Sequence, residues 1–228
     1  MSRIAVVCFV VFFAAPLSCL AMPNLDKTYD VVIDIGHGGI DGGTSYQGYL
    51  EKDINLAIGL TLYEELKRRS YNVAVTRIRD YALSDDNRER RRRGRHLADL
   101  SQRKLIADAL QPRAFISLHV NWAKNKKRRG PIVIYQASAK SYTLARTIQR
   151  HLNDFYGLDN RVMRGKTYFL LNHLEMPSVI VEVGYISNDE DRQLMTAAKT
   201  QKEIAASIAA AIEEYLLLYP TNERSQYD

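Results

Sequence analysis

The chain has 228 residues, with 32 Lys+Arg against 26 Asp+Glu and a formal charge of +6. At 46% hydrophobic and 25% charged it has the composition of a globular protein, not a disordered one. Two cysteines exclude a disulfide-dense scaffold and a Cys-rich zinc module, and the length predicts one sizeable domain or two small ones.

In chain order the first signal is a leader. Cys8 and Cys19 both fall in an opening stretch where Arg3 precedes an uncharged, mostly apolar run from Ile4 to Met22. One positive charge, an apolar run and the small-residue end Cys19-Leu20-Ala21 predict a secretory leader over residues 1–21, cut after Ala21. An uncleaved membrane anchor is the alternative, since the run is long enough to span; a lipid on Cys19 is a third option. Each of these gives an exported protein of the cell envelope or extracellular space. A short lead-in covers residues 22–28, the folded domain residues 29–219 and a polar tail residues 220–228.

Within the domain, strand-like and helix-like segments alternate. Asp30 to Ile35 is a β-branched run that ends in glycines, hence a buried strand. A glycine-rich loop follows from Gly36 to Gly48. Glu51 to Arg69 has apolar residues at helical spacing (Ile54, Ala57, Ile58, Leu62, Leu66). Asn72 to Thr76 is a second strand, and Asp99 to Leu110 a helix closed by Pro112. Strands are expected at Ala114 to His119 and Pro131 to Tyr135, then a helix near Tyr142 to Tyr156, a short strand at Thr167 to Leu171 and a last strand at Ser178 to Val183. Ser187-Asn188-Asp189-Glu190 reads as a helix start, and a final helix runs from about Gln201 to Tyr219. The stripe Leu56, Leu60, Tyr63 and the run Ile204, Ile208, Ala211, Ile212, Tyr215 are read as core faces. The alternation predicts an α/β domain with a largely parallel sheet.

The positive charge is clustered. Arg88 to Arg95 holds six Arg and one Glu, and Lys124 to Arg129 holds five basic residues and no acid; the rest of the domain is mildly acidic. Such runs are either solvated surface or contacts to an anionic envelope polymer or membrane surface. Nucleic acid is not expected as a partner, because neither run is interleaved with aromatic residues and the leader points to export.

In parallel α/β sheets, ligands bind beyond the carboxyl ends of the strands. His37, His119 and Glu182 occupy such strand exits. His37 lies in Gly36-His37-Gly38-Gly39, where glycines allow a tight turn and leave the imidazole unshielded; the Gly-Lys-Ser/Thr ending of a phosphate-binding loop is absent. Glu182 sits in the otherwise apolar Val179-Ile180-Val181-Glu182-Val183, where a lone carboxylate is costly unless paired, bonded or protonated, and a raised pKa suits acid/base work. Glu51 opens a helix, and favourable charge at a helix N-terminus, worth under ~1 kcal/mol, explains it on its own. Two histidines and a carboxylate form the ligand set of a catalytic zinc site, with a further glutamate as proton carrier. The spacings, 14 residues from His37 to Glu51 and 68 from there to His119, match no local zinc motif.

Four stretches carry a resemblance: VVIDIGHGGIDGG (Val31 to Gly43), GYLEKDINLAIGL (Gly48 to Leu60), RKLIADALQPRAFISLHVN (Arg103 to Asn121) and MPSVIVEVGYISNDED (Met176 to Asp191). Together they resemble the zinc-dependent N-acetylmuramoyl-L-alanine amidases over about Tyr29 to Tyr219. The resemblance implies one three-layer α/β domain with a mostly parallel six-stranded sheet flanked by helices. It implies one Zn²⁺ per chain held by His37, Glu51 and His119, which replaces the simpler explanation of Glu51, and Glu182 as the catalytic residue. The implied reaction is hydrolysis of the amide between the lactyl group of muramic acid and L-Ala of the stem peptide in peptidoglycan. LEKDINLAI and YFLLNHLEMPSVIVEVGYISN, with the leader-plus-domain layout, are similar to the germination-specific amidases of spore-forming bacteria, which act on spore cortex on the way to muramic-δ-lactam. The alternatives are a vegetative wall autolysin, a catalytically inactive wall-binding or regulatory module, and a zinc peptidase.

Two departures from the family pattern stand out. Trp122 follows Asn121 where a small residue is common. Only 62 residues separate His119 from Glu182, all taken by elements already assigned, which argues against an inserted autoinhibitory helix. Asn121, Arg103 and His173 are further candidates for substrate contact or for bracing the site. A monomer is expected, and an activator protein for zinc loading or activity is a possible partner.

Overall fold

The computed structural model of the protein describes residues 28–85 and 94–220. The leader, the polar tail past Pro220 and all of the first basic run except Gly94 and Arg95 lie outside the described residues.

In chain order the elements begin with strand β1 (Val31–Ile35), a small hairpin of β2 (Ser45–Tyr46) and β3 (Tyr49–Leu50), helix α1 (Glu51–Arg68), strand β4 (Val73–Val75) and a single 3₁₀ turn at Leu83–Asp85. They continue with α2 (Arg95–Leu110), β5 (Ala114–Asn121), β6 (Ile132–Tyr135), α3 (Ala139–Tyr156), β7 (Met163–Arg164), α4 (Phe169–His173), β8 (Ser178–Tyr185), α5 (Asp189–Thr196) and α6 (Ala198–Leu218). Asn188 caps α5 by accepting from the Asp191 amide at 3.1 Å, as its place before three acids predicts. The sheet order is β4-β1-β5-β8-β6-β7, and every neighbouring pair is parallel except β6 on β8.

Every residue of β1 is buried, because helices cover both faces of the sheet. Val31, Ile33 and Ile35 join Ile116, Leu118, Val179 and Val181 against Ile58 and Leu62 of α1, Leu144 and Ile148 of α3 and Ile208 and Ile212 of α6. The intervening Val32 and Phe115 face the other way, onto Ala107 of α2 and Leu170 of α4. The result is three layers around one sheet. The expected core run from Ile204 to Tyr215 is buried, and Leu56, Leu60 and Tyr63 are partly buried against it.

One expected element is wrong. Thr167 to Leu171 does not form a strand; the edge strand is Met163–Arg164, beside Ile134 and Tyr135, and Phe169–His173 is a short helix. Leu170 packs toward α2 and β1 while its neighbour Leu171 packs on Ile134 and Ile180. A helical turn lets consecutive apolar residues bury in two different places, and the true edge strand is exposed and polar enough to leave no apolar run. Among the described residues no helix is long and apolar enough to cross a membrane.

Candidate metal centre

The carboxyl ends of β1 and β5 and the first turn of α1 converge. One ligand atom each from His37, Glu51 and His119 can be chosen so that all lie within 4.8 Å of one another. His37 Nε2 is 3.2 Å and His119 Nδ1 3.0 Å from the same oxygen, Glu51 Oε1. The two imidazoles meet edge to face with centroids 5.0 Å apart. Nitrogen and oxygen ligands at zinc-type bond lengths are separated by about 3.3 Å in a tetrahedron, so this donor set fits such an ion with little movement.

Each donor is oriented by a neighbour. His37 Nδ1 lies 2.8 Å from Asp41 Oδ2; with a proton held on Nδ1, Nε2 on the Glu51 side of the ring is left as the ligand atom once a cation displaces its proton. Glu51 Oε1 accepts from the Val120 amide at 3.0 Å, and Oε2 from the Thr44 amide at 2.8 Å. Burial disfavours charge on both His37 and Glu51, yet their interactions dominate. The bonds to Asp41 and Glu51 hold the His37 pKa up at about 9, and the two imidazoles hold the Glu51 carboxyl well below the usual carboxylate range. The cluster stabilises positive charge at its centre, which is what a cation would supply.

The His37 loop is clamped from behind. His37 itself has φ 61, an unfavourable region for a non-glycine residue. Arg103, which is 2% exposed, donates through Nη2 to the His37 carbonyl at 3.1 Å and through Nη1 to the Ile35 carbonyl at 2.9 Å. Its charge is met by Asp34 Oδ1 at 2.5 Å and Asp99 Oδ2 at 2.6 Å. Burial pushes the Asp34 carboxyl up, but Arg103 and the Ser117 hydroxyl outweigh it and hold the pKa below normal. Arg77, buried at the end of β4, donates to the carbonyls of Ile35, Gly36 and Lys52 at 3.1, 3.1 and 2.7 Å. Lys52 in turn bonds the Gly39 carbonyl at 2.8 Å and Asp80 at 2.7 Å.

Glu182 stands beside this cluster. It is register partner to His119 across β5 and β8, so the two side chains leave the sheet on the same face, about 4.8 Å apart at the backbone. The residue is half-buried, but its Oε2 is buried with no hydrogen-bond partner. Burial pushes its pKa up to about 7; Glu51 adds to the rise, and the two histidines oppose it.

The remaining candidates are dispersed. Asn121 accepts the Trp122 amide at 2.7 Å, and Trp122 itself is exposed just past the site. His173 ends α4, exposed, bonded to the Phe169 carbonyl and stacked on that ring at 4.3 Å. Lys124, Lys126, Lys127 and Arg128 are exposed on the loop after β5. Asp41 and Arg77 were not expected. Asp41, an acid four residues past a loop histidine, was detectable; nothing local marks Arg77.

The profile of the Amidase_3 family, N-acetylmuramoyl-L-alanine amidase, matches residues 31–214. The chain is 31% identical over 216 residues to YqiI, an uncharacterised protein of Bacillus subtilis, covering 93% of this chain and 96% of that one. It is 29% identical over 189 residues to the germination-specific N-acetylmuramoyl-L-alanine amidase of the same organism, covering 81% and 78%. Among solved structures it is similar to the CwlD amidase of Clostridioides difficile in complex with the GerS lipoprotein, with TM-score 0.78 and 31% identity over 82% of this chain and 98% of that one. The catalytic domain of the amidase CwlV from Bacillus (Paenibacillus) polymyxa var. colistinus matches with TM-score 0.71 and 29% identity, over 82% and 97%. A family match across most of the chain, on the fold and beside the clustered residues just described, shows that the chain belongs to the N-acetylmuramoyl-L-alanine amidases, hydrolases of an amide bond in cell-wall peptidoglycan.

Proposed function

We propose that this amidase depends on one zinc ion held by His37, Glu51 and His119, and that Glu182 carries the proton between water and leaving group. The observation that supports it most is the convergence of three donor atoms within 4.8 Å beside a glutamate whose Oε2 is buried and unpartnered. Bound there, zinc would polarise a water and the scissile carbonyl. Glu182, with its proton affinity raised toward neutrality, accepts the proton of the attacking water and returns it to the departing amine of L-Ala. Asp41 fixes the His37 ring, and Arg103 and Arg77 fix the backbone that carries it.

Two results are expected. Chelation should abolish release of L-Ala amino termini from peptidoglycan, and added zinc should restore it; full activity in metal-free protein would sink the assignment. Gly36→Ala should lower activity by about a hundredfold, because a Cβ there would lie 2.5 Å from the His119 ring and 2.6 Å from the Leu118 carbonyl, and displacements near 1 Å at a reacting centre cost that much. Thermal melts with zinc titration would show whether the loss follows the metal or the fold.

Spore cortex is the substrate this reading favours, on the likeness to the germination-specific enzyme, with export by the leader. The probable cell wall amidases among the relatives favour the vegetative wall as second reading. Mass spectrometry of muropeptides from treated cortex and vegetative sacculi separates them: selective cleavage of cortex supports the first, equal cleavage the second. The GerS complex of the C. difficile neighbour supports an activator protein for this chain too.

A further inference from the structure

Resting on the amidase reading, we infer that the cationic loop after β5 recognises the free carboxylates of the stem peptide and makes the enzyme selective for acidic over amidated stems. The loop, Lys124 to Arg129, continues directly from the strand that carries His119, so it leaves the sheet at the mouth of the metal centre. Its far side reaches the hairpin between His37 and Glu51: the Lys126 ammonium lies 5.2 Å over the Tyr46 ring. At its start the loop is tied to the strand that carries Glu182: Asn121 is register partner to Tyr185 on β8, and the Ile186 amide donates to the Asn121 carbonyl at 2.9 Å. The loop therefore runs from the strands that carry His119 and Glu182 to the hairpin between His37 and Glu51.

Like charges on adjacent residues repel, and a segment that holds them needs countercharge or solvent. Here the ordering comes from the backbone. The Ala123 amide donates to Ser187 Oγ at 3.1 Å, Asn188 Nδ2 to the Lys126 carbonyl at 2.7 Å, the Arg128 amide to the Asn125 carbonyl at 3.1 Å and the Gly130 amide to Asp191 Oδ2 at 2.6 Å. Among the described residues only the last basic residue of the loop forms an ion pair, Arg129 with Glu190 and with Asp191 at 3.8 Å. Lys124 and Lys127 are exposed and form no ion pair among the described residues. A pinned row of exposed cations on the loop after the His119 strand suits an anionic substrate. In peptidoglycan the residue after L-Ala is glutamate joined through its γ-carboxyl, which leaves an α-carboxylate close to the scissile amide. With the carbonyl at the metal centre, that carboxylate would lie within reach of the basic loop that continues from the His119 strand.

The test is a pair of soluble muramyl peptides that differ only in that carboxylate, free in one and amidated in the other. Wild type is expected to favour the free acid by about tenfold in kcat/KM, the scale of one charged hydrogen bond, mostly through KM and less so at high salt. Replacing Lys124, Lys127 and Arg128 together by Gln should bring the ratio down to no more than about twofold, and the double substitution Lys124→Arg, Lys127→Arg with Arg128 intact should keep it. Equal hydrolysis of both peptides by wild type overturns the inference and leaves the proposed chemistry standing. So does an equal loss on both in the triple variant, which marks a structural role. A ratio that survives while retention on an anionic wall polymer is lost would assign the loop to envelope docking instead, again against the inference. Hydrolysis of neither peptide by zinc-loaded wild type that releases L-Ala amino termini from peptidoglycan overturns the inference alone; no release from peptidoglycan either overturns the proposed substrate reading with it.

Discussion

Glu182→Gln should lower kcat by about a hundredfold to ten-thousandfold, the usual contribution of a positioned acid/base group, while bound zinc stays near one per chain. Glutamine keeps the shape of the side chain but cannot take a proton from water. The substitution is also expected to leave thermal stability unchanged or raised. The glutamate has a desolvated oxygen with no partner, and a neutral amide is easier to bury than a carboxylate. Lost turnover with retained or gained stability is the signature of a group kept for chemistry at some structural cost. Amino-group release from peptidoglycan, metal analysis and a melt on the same preparation check all three parts. Activity within tenfold of wild type would assign the proton to another group.

Arg103→Leu should have the largest effect on stability, about 3–5 kcal/mol at neutral pH, because it leaves Asp34 ionised and buried without its cation. It also removes the donors that hold the Ile35 and His37 carbonyls, so activity should fall with it. The pH dependence identifies the cause. In wild type the folded pKa of Asp34 lies below its unfolded value; the stability this supplies is complete above about pH 4 and is lost as pH falls through the folded pKa. In the variant, burial without Arg103 raises the folded pKa, so the penalty is largest when the unfolded carboxyl is ionised. The difference in unfolding free energy between the two proteins should therefore shrink from pH 7 toward pH 4. Urea denaturation across that range measures it. A difference that is the same at both ends, or below about 1 kcal/mol at pH 7, would contradict the clamp.

How much of this was legible in the sequence depends on whether a residue broke a local pattern. His119 and Glu182 interrupt apolar strand runs, and His37 sits among glycines at a strand end; each was marked by its own neighbourhood. Glu51 was not, since an acid in the first turn of a helix has an ordinary electrostatic explanation, and only the family resemblance raised it. Arg103 matched a family position, but nothing in the helix pattern shows that its face meets a buried aspartate on β1. Arg77 reaches the carbonyls of Ile35 and Gly36 at the end of β1 and of Lys52 on α1, a property of tertiary packing with no period in sequence. The Thr167 to Leu171 error has the same origin. A four-residue apolar cluster serves a short helix as well as a strand, and the packing on either side of it decides.

The most direct test of the central claim is an X-ray structure of active, zinc-treated protein with diffraction recorded on both sides of the zinc absorption edge. One anomalous peak is expected per chain, within about 2.0–2.2 Å of His37, Glu51 and His119 donor atoms and facing Glu182. A peak elsewhere, or none between these three residues in crystals whose protein cleaves peptidoglycan, would contradict it.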